Sequence, residues 1–198
     1  ADTFVVLEAY RRYIDLAMSY IQPSTPGLIM THGVSGTGKT TAARYLSRCW
    51  PGVHLRADIE RKRMFGLKEL DSSKEKGLDI YTLLATTRTF QRLRDIVDSL
   101  LEAGINTVLD STFLTIDARQ RFLTLAEERG CSAYILSCQL SGEILRQRLI
   151  ARQKAGNDAS EADVFIMEKQ VDAEEPLTKD ELRNTYCVDM EDGTSALA

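Results

Sequence analysis

Eight consecutive residues, Gly33-Val34-Ser35-Gly36-Thr37-Gly38-Lys39-Thr40, fit the pattern GxxxxGK[ST] at every fixed position. With glycine near 7% of residues, a chance match in a chain of this size is on the order of one in a hundred. The flanks sharpen the reading. The apolar run Leu28–Thr31 precedes the motif as a strand, and Thr40–Cys49 follows it as a helix, the setting that makes the pattern a phosphate-binding loop. Glycines let the backbone turn so that successive N–H groups converge on one anion, and the helix N-terminus adds its positive end. Gly33, Ser35, Gly36, Thr37, Gly38, Lys39, Thr40 and Thr41 are therefore the expected nucleotide-binding residues. In such a loop the lysine reaches the β/γ-phosphates and the Thr40 hydroxyl holds Mg²⁺. ATP or GTP is the expected ligand, and the loop does not distinguish them.

The rest of the chain alternates short apolar runs with long helical stretches. Leu28–Thr31, Val53–Ala57, Ile105–Leu109, Ala133–Ser137 and Tyr186–Val188 read as strands. Helices between them, with no hairpin turn, mean a parallel sheet and an α/β fold. The helices are expected over Ile80 to Gly104, over Asp117–Arg129 closed by Gly130, and from a Ser141 cap through Arg152 to Gly156. A further helix is expected from a capping box formed by Ser160 and Asp163. Leu7, Tyr10, Ile14, Met18 and Ile21 paint one face of a helix over Thr3–Ile21, which Pro23 and Pro26 stop. Residues 1–25 then form a helix and linker, 26–190 the core, and 191–198 a frayed tail.

Composition narrows the classes. The chain has 198 residues, 43% of them hydrophobic, with a net charge of −4. That suffices for one domain that buries roughly 70% of its unfolded surface without disulfides or structural metal. No apolar run approaches the roughly 20 residues of a membrane span. The acidity argues against a coat for nucleic acid. Cys49, Cys131, Cys138 and Cys187 lack CxxC spacing, which points to a reducing cytoplasm rather than to metal or redox work. His32 and His54 have no second ligand at metal spacing and are read as structural.

The stretch His54-Leu55-Arg56-Ala57-Asp58-Ile59-Glu60-Arg61-Lys62-Arg63 lies at the end of the second strand, where ligands sit in such sheets. A carboxylate there can take the proton of an attacking hydroxyl, the role expected of Asp58. Arg61, one turn on, is placed to hold the acceptor, and Arg56, Arg61, Lys62 and Arg63 suit an anionic or hydroxyl-rich molecule. Asp110 ends the third strand in the position of a carboxylate that holds Mg²⁺. Arg146, Arg148 and Arg152 lie in Leu145–Gly156. Arg148 and Arg152, four apart, share a helix face and are expected to act as a lid over the phosphates.

Together GVSGTGKT, RADIERKR, VLDSTF and RQRLIARQKAGNDASEAD resemble the small P-loop kinases of the zeta-toxin and polynucleotide-kinase group, closest to those fused behind an aminoglycoside-phosphotransferase-like domain. The likeness runs from about Pro26 to Val188. It implies a P-loop NTPase with a five-stranded parallel sheet and a helical lid. It also implies Asp58 as the acceptor-activating base, Arg61 as acceptor ligand, Asp110 near the metal, and Arg148 and Arg152 as lid arginines. In its light Thr3–Ile21 is expected to join an upstream domain. The expected activity is Mg-ATP-dependent phosphorylation of a hydroxyl on a small polar molecule. The alternatives are a polynucleotide 5′-hydroxyl kinase and a non-catalytic ATP-binding regulatory module.

Overall fold

The computed structural model describes residues 25–156 and 158–191 and, before them, only Glu8, Arg11 and Ile14, each in helical conformation. The remainder of the helix expected over Thr3–Ile21, and of the tail beyond Glu191, lies outside the described residues. The strands are β1 (Gly27–His32), β2 (Val53–Arg56), β3 (Thr107–Asp110), β4 (Ser132–Gln139) and β5 (Thr185–Asp189). They form one five-stranded parallel sheet in the order β2-β3-β1-β4-β5. The phosphate-loop strand is central, paired with β3 on one side and β4 on the other.

Helices α1 (Lys39–Cys49), α2 (Ala57–Met64), α3 (Leu83–Glu102), α4 (Ile116–Glu128), α5 (Gly142–Ala155) and α6 (Val164–Asp172) connect the strands. Alternation along β1 divides the core between two faces. Leu28 and Met30 pack with Leu93, Val97 and Leu101 of α3 and with Phe122 and Leu125 of α4. Ile29 turns the other way, toward Ala42 and Leu46 of α1 and Leu136 and Cys138 of β4. Covering both faces is what a parallel sheet of near-continuous apolar strands requires.

The strands lie within a residue or two of the expected spans, while two helix starts and one cap differ for local reasons. α3 begins at Leu83 rather than Ile80, because the Thr82 side chain caps it by accepting from the Ala85 N–H. Ser141 stands at the head of α5, yet its side chain makes no capping bond. The last helix starts at Val164, and Asp163 is itself the cap, accepting from the Ile166 N–H at 3.0 Å, so Ser160 plays no part in a capping box. α2 was not expected as a helix. It is held by burial of the polar side chains Glu60, Arg61 and Lys62, which an apolar period cannot reveal.

Gly33 closes β1 with φ +126, and a Cβ there would lie 2.6 Å from the Cys138 carbonyl oxygen. Gly33→Ala is therefore expected to cost about 2–4 kcal/mol from strain and overpacking together. Urea unfolding checks this, and a midpoint equal to wild type would contradict it. His32 fits its structural assignment: its Nδ1 meets Ser137 Oγ at 3.1 Å, and burial lowers its pKa to about 4.

Candidate active site

The loop between β1 and α1 is built around the Val34 carbonyl. It accepts from Lys39 Nζ at 2.7 Å and from the Thr37 hydroxyl at 3.0 Å. Gly36 and Gly38 both adopt φ 95, which carries the chain into α1 with Lys39 as its first residue. Lys39 is 8% exposed. Burial lowers its pKa, against the pull of Asp110. The Ser35 N–H donates to Gln170 Oε1 at 2.8 Å, so α6 reaches across to the loop.

Asp110 stands at the end of β3, opposite Arg56 in the register of β2. It is 6% exposed. Burial pushes its pKa up, but hydrogen bonds from His54 and the Thr40 hydroxyl, with the charge of Lys39, outweigh this and hold it below the ordinary carboxylate range. His54 Nε2 is 3.2 Å from Asp110 Oδ2. His54 and Arg56 are two apart on β2 and so share one face, and pairing with β3 aims both at Asp110. Sequence reading missed the His54 contact because it depends on which strand lies beside β2.

Asp58 and Arg61 lie across the cleft, one helical turn apart on α2. Burial raises the pKa of Asp58, Arg61 opposes this, and Asp110 adds to it. The Ser160 hydroxyl hydrogen-bonds the Asp58 carboxylate. Arg61 donates through Nη1 to the Ile80 carbonyl at 3.0 Å and to Thr86 Oγ1 at 3.1 Å. Its guanidinium lies 5.1 Å from the centre of the Tyr81 ring. Burial, with Asp58 nearby, pushes the Tyr81 phenol well above its usual pKa.

The other members of the expected basic cluster are committed elsewhere. Arg56 is clamped between Glu69 at 3.1 Å and Asp158 at 2.7 Å. Lys62 is 1% exposed; it pairs with Glu161 at 3.0 Å and donates to the Glu69 and Asp71 carbonyls. Arg63 pairs with Glu60. None of these three lines the cleft. The expectation that they receive an acceptor is corrected for Arg56, Lys62 and Arg63 alike, since each is committed to carboxylates of the fold and stands outside the cleft lining. Arg56 stands behind Asp110 as a brace.

Arg148 and Arg152 of α5 face the cleft from above, at present donating to the Met190 carbonyl at 2.8 Å and the Ala162 carbonyl at 2.7 Å. Arg146 instead reaches Glu168 on the surface. One cleft of about 960 Å³ unites Lys39, Thr40 and Asp110 with Asp58 and Arg61 beneath the two arginines. Ser35, Gly36, Gly38 and Thr41 also line it, whereas Gly33 and Thr37 shape the loop from behind.

The sequence profile of the family described as an AAA domain matches residues 28–177. An uncharacterized protein of Mycobacterium tuberculosis is 23% identical over 152 residues, and the aligned stretch covers 75% of this chain but only 30% of that protein. Among solved structures, one described as a candidate kinase from Chloroflexus aurantiacus superposes with a TM-score of 0.64 at 22% identity, covering 85% of this chain and 87% of that one. A sugar kinase from Janibacter sp. superposes with a TM-score of 0.61 at 19% identity, covering 87% and 94%. At these identities the likeness is one of fold, an α/β P-loop NTPase.

Proposed function

The chain belongs to the AAA domain family, and from that premise we propose that it is a kinase that moves the γ-phosphoryl group of ATP onto a hydroxyl of a small polar molecule. The observation that carries this reading is the opposition, in one cleft, of a phosphate loop with Lys39 and a carboxylate with a raised pKa, Asp58, beneath two arginines. A protein that only binds nucleotide has no need of the second element. The sugar kinase with the same fold supports a hydroxyl acceptor.

The loop amides and Lys39 hold the donor. Among the described residues no cluster of three or more His, Cys, Asp or Glu side chains forms a metal cage. Mg²⁺ needs none, because it commonly takes one or two protein oxygens and fills its octahedron with water and phosphate. The Thr40 hydroxyl and the ionised Asp110 carboxylate are hard oxygen donors of that kind. When bound, the ion neutralises charge on the β- and γ-phosphate oxygens. Asp58 orients the acceptor hydroxyl and accepts its proton as the new O–P bond forms and the bond from phosphorus to the β,γ-bridging oxygen breaks, releasing ADP. Arg148 and Arg152 exchange their carbonyl partners for the transferring group and keep water out of the cleft.

No described helix is long and apolar enough to cross a membrane. All four cysteines are free, which supports a reducing cytoplasm. The mycobacterial relative exceeds the aligned stretch by far, which supports reading the chain as akin to one module of a larger protein.

The test is release of ADP with and without a metabolite extract. Wild type should turn over faster with extract, and Lys39→Ala should lose about 100-fold or more of that rate, by analogy with removal of one transition-state donor. Turnover that ignores the extract would favour a nucleotide-driven switch.

A further inference from the structure

We infer that the acceptor is an uncharged, hydroxyl-rich molecule of the sugar or polyol kind; the inference rests on the phosphoryl-transfer reading above and concerns the same cleft. Four basic side chains over Arg56–Arg63 would make an anion clamp if all pointed at the acceptor. The fold spends three of them on Glu69, Asp158, Glu161 and Glu60. Only Arg61 remains, and its Nη1 already serves Ile80 and Thr86. Its Nε is buried with no hydrogen-bond partner among the described residues.

The other charges at this end of the cleft do not restore an anion site. Lys74 pairs with Asp163 at 3.1 Å. Lys169 lies 4.3 Å from the centre of the Phe165 ring. Against them stand Asp58 and Asp79, and among the described residues the Asp79 carboxylate is met only by the Tyr81 N–H. A phosphate or carboxylate on the acceptor would therefore face the Asp58 and Asp79 carboxylates with Arg61 and Lys169 as, among the described residues, the cations of this end not paired to a carboxylate, whereas anion sites use several convergent charge-assisted donors.

Hydroxyls fit what is present. Asp58 and Asp79 accept, and Ser160, Thr86 and Tyr81 offer hydroxyls. Tyr81, Phe90 and Phe165 supply apolar walls for the C–H face of a ring. Apolar walls with a few placed polar groups are the usual composition of a small-molecule site.

The test uses the full chain with ATP labelled at the γ-phosphorus and a metabolite extract divided in sequence on an anion exchanger and a cation exchanger. Acceptor activity is expected in the material retained by neither, exceeding either retained pool by at least about tenfold, the discrimination of one mismatched charged contact. The KM of that pool should change less than about twofold with ionic strength, since salt screens only charged encounters. Activity in the anion-exchanger eluate would overturn the inference while leaving the kinase reading intact, and activity in the cation-exchanger eluate would do the same in favour of an amine. Transfer into no pool would withdraw the kinase reading and this inference with it.

Discussion

Replacing Asp58 by Asn is expected to lower kcat by about 10²–10⁴, the usual worth of a positioned general base, while leaving ATP affinity within about twofold of wild type. The two effects separate because Asp58 stands on α2, away from the loop whose amides and Lys39 grip the donor. The amide keeps the shape and one acceptor oxygen but cannot take a proton. The pH profile supplies an independent readout. Burial raises the pKa of Asp58, so the proton leaves it only above the ordinary carboxylate range. Activity should therefore rise with pH through an acid limb displaced upward from about 4, and Asp58→Asn should lose that limb. Wild-type kcat in the variant, measured beside equilibrium binding of ATP, would remove Asp58 from the chemistry.

The double substitution Arg148→Ala, Arg152→Ala is expected to have an effect at least as large, about 10³–10⁵ in kcat, the range attributed to arginines that stabilise a transferring phosphoryl group. Their stability role is smaller. Arg148 gives one bond to the Met190 carbonyl and Arg152 one to the Ala162 carbonyl, together worth about 3–6 kcal/mol at most as charge-assisted bonds. Single-turnover rates and thermal melts on the same samples separate the two contributions. A double variant that transfers phosphate normally would reduce α5 to a solvated cover. A rise in ATP hydrolysis relative to transfer, with total turnover falling, would accord with lost exclusion of water.

Much of the frame was legible because its signals are local. The strand ahead of GVSGTGKT, the helix after it and the left-handed glycines within it follow from the order of residues. Asp110 and Asp58 could be placed at strand ends from apolar runs alone, and the sheet put them in one cleft. What escaped depends on neighbours distant in sequence. The brace of His54 and Arg56 on Asp110 follows from β2 lying beside β3. The burial of Lys62 follows from Glu161, 99 positions on, folding back against α2. Gln170 meets the Ser35 N–H across 135 positions. A basic run looks the same whether it is solvated, buried against carboxylates or aimed at a ligand. Only the partners supplied by the fold distinguish Arg61 from Lys62.

The most direct test of the central claim is the fate of the labelled γ-phosphoryl group after incubation of the wild-type protein with ATP, Mg²⁺ and a metabolite extract. The account predicts label recovered as an organic phosphomonoester, in step with ADP and absent from the Asp58→Asn reaction. Label recovered solely as inorganic phosphate, or retained in ATP with every fraction of the extract, would contradict it.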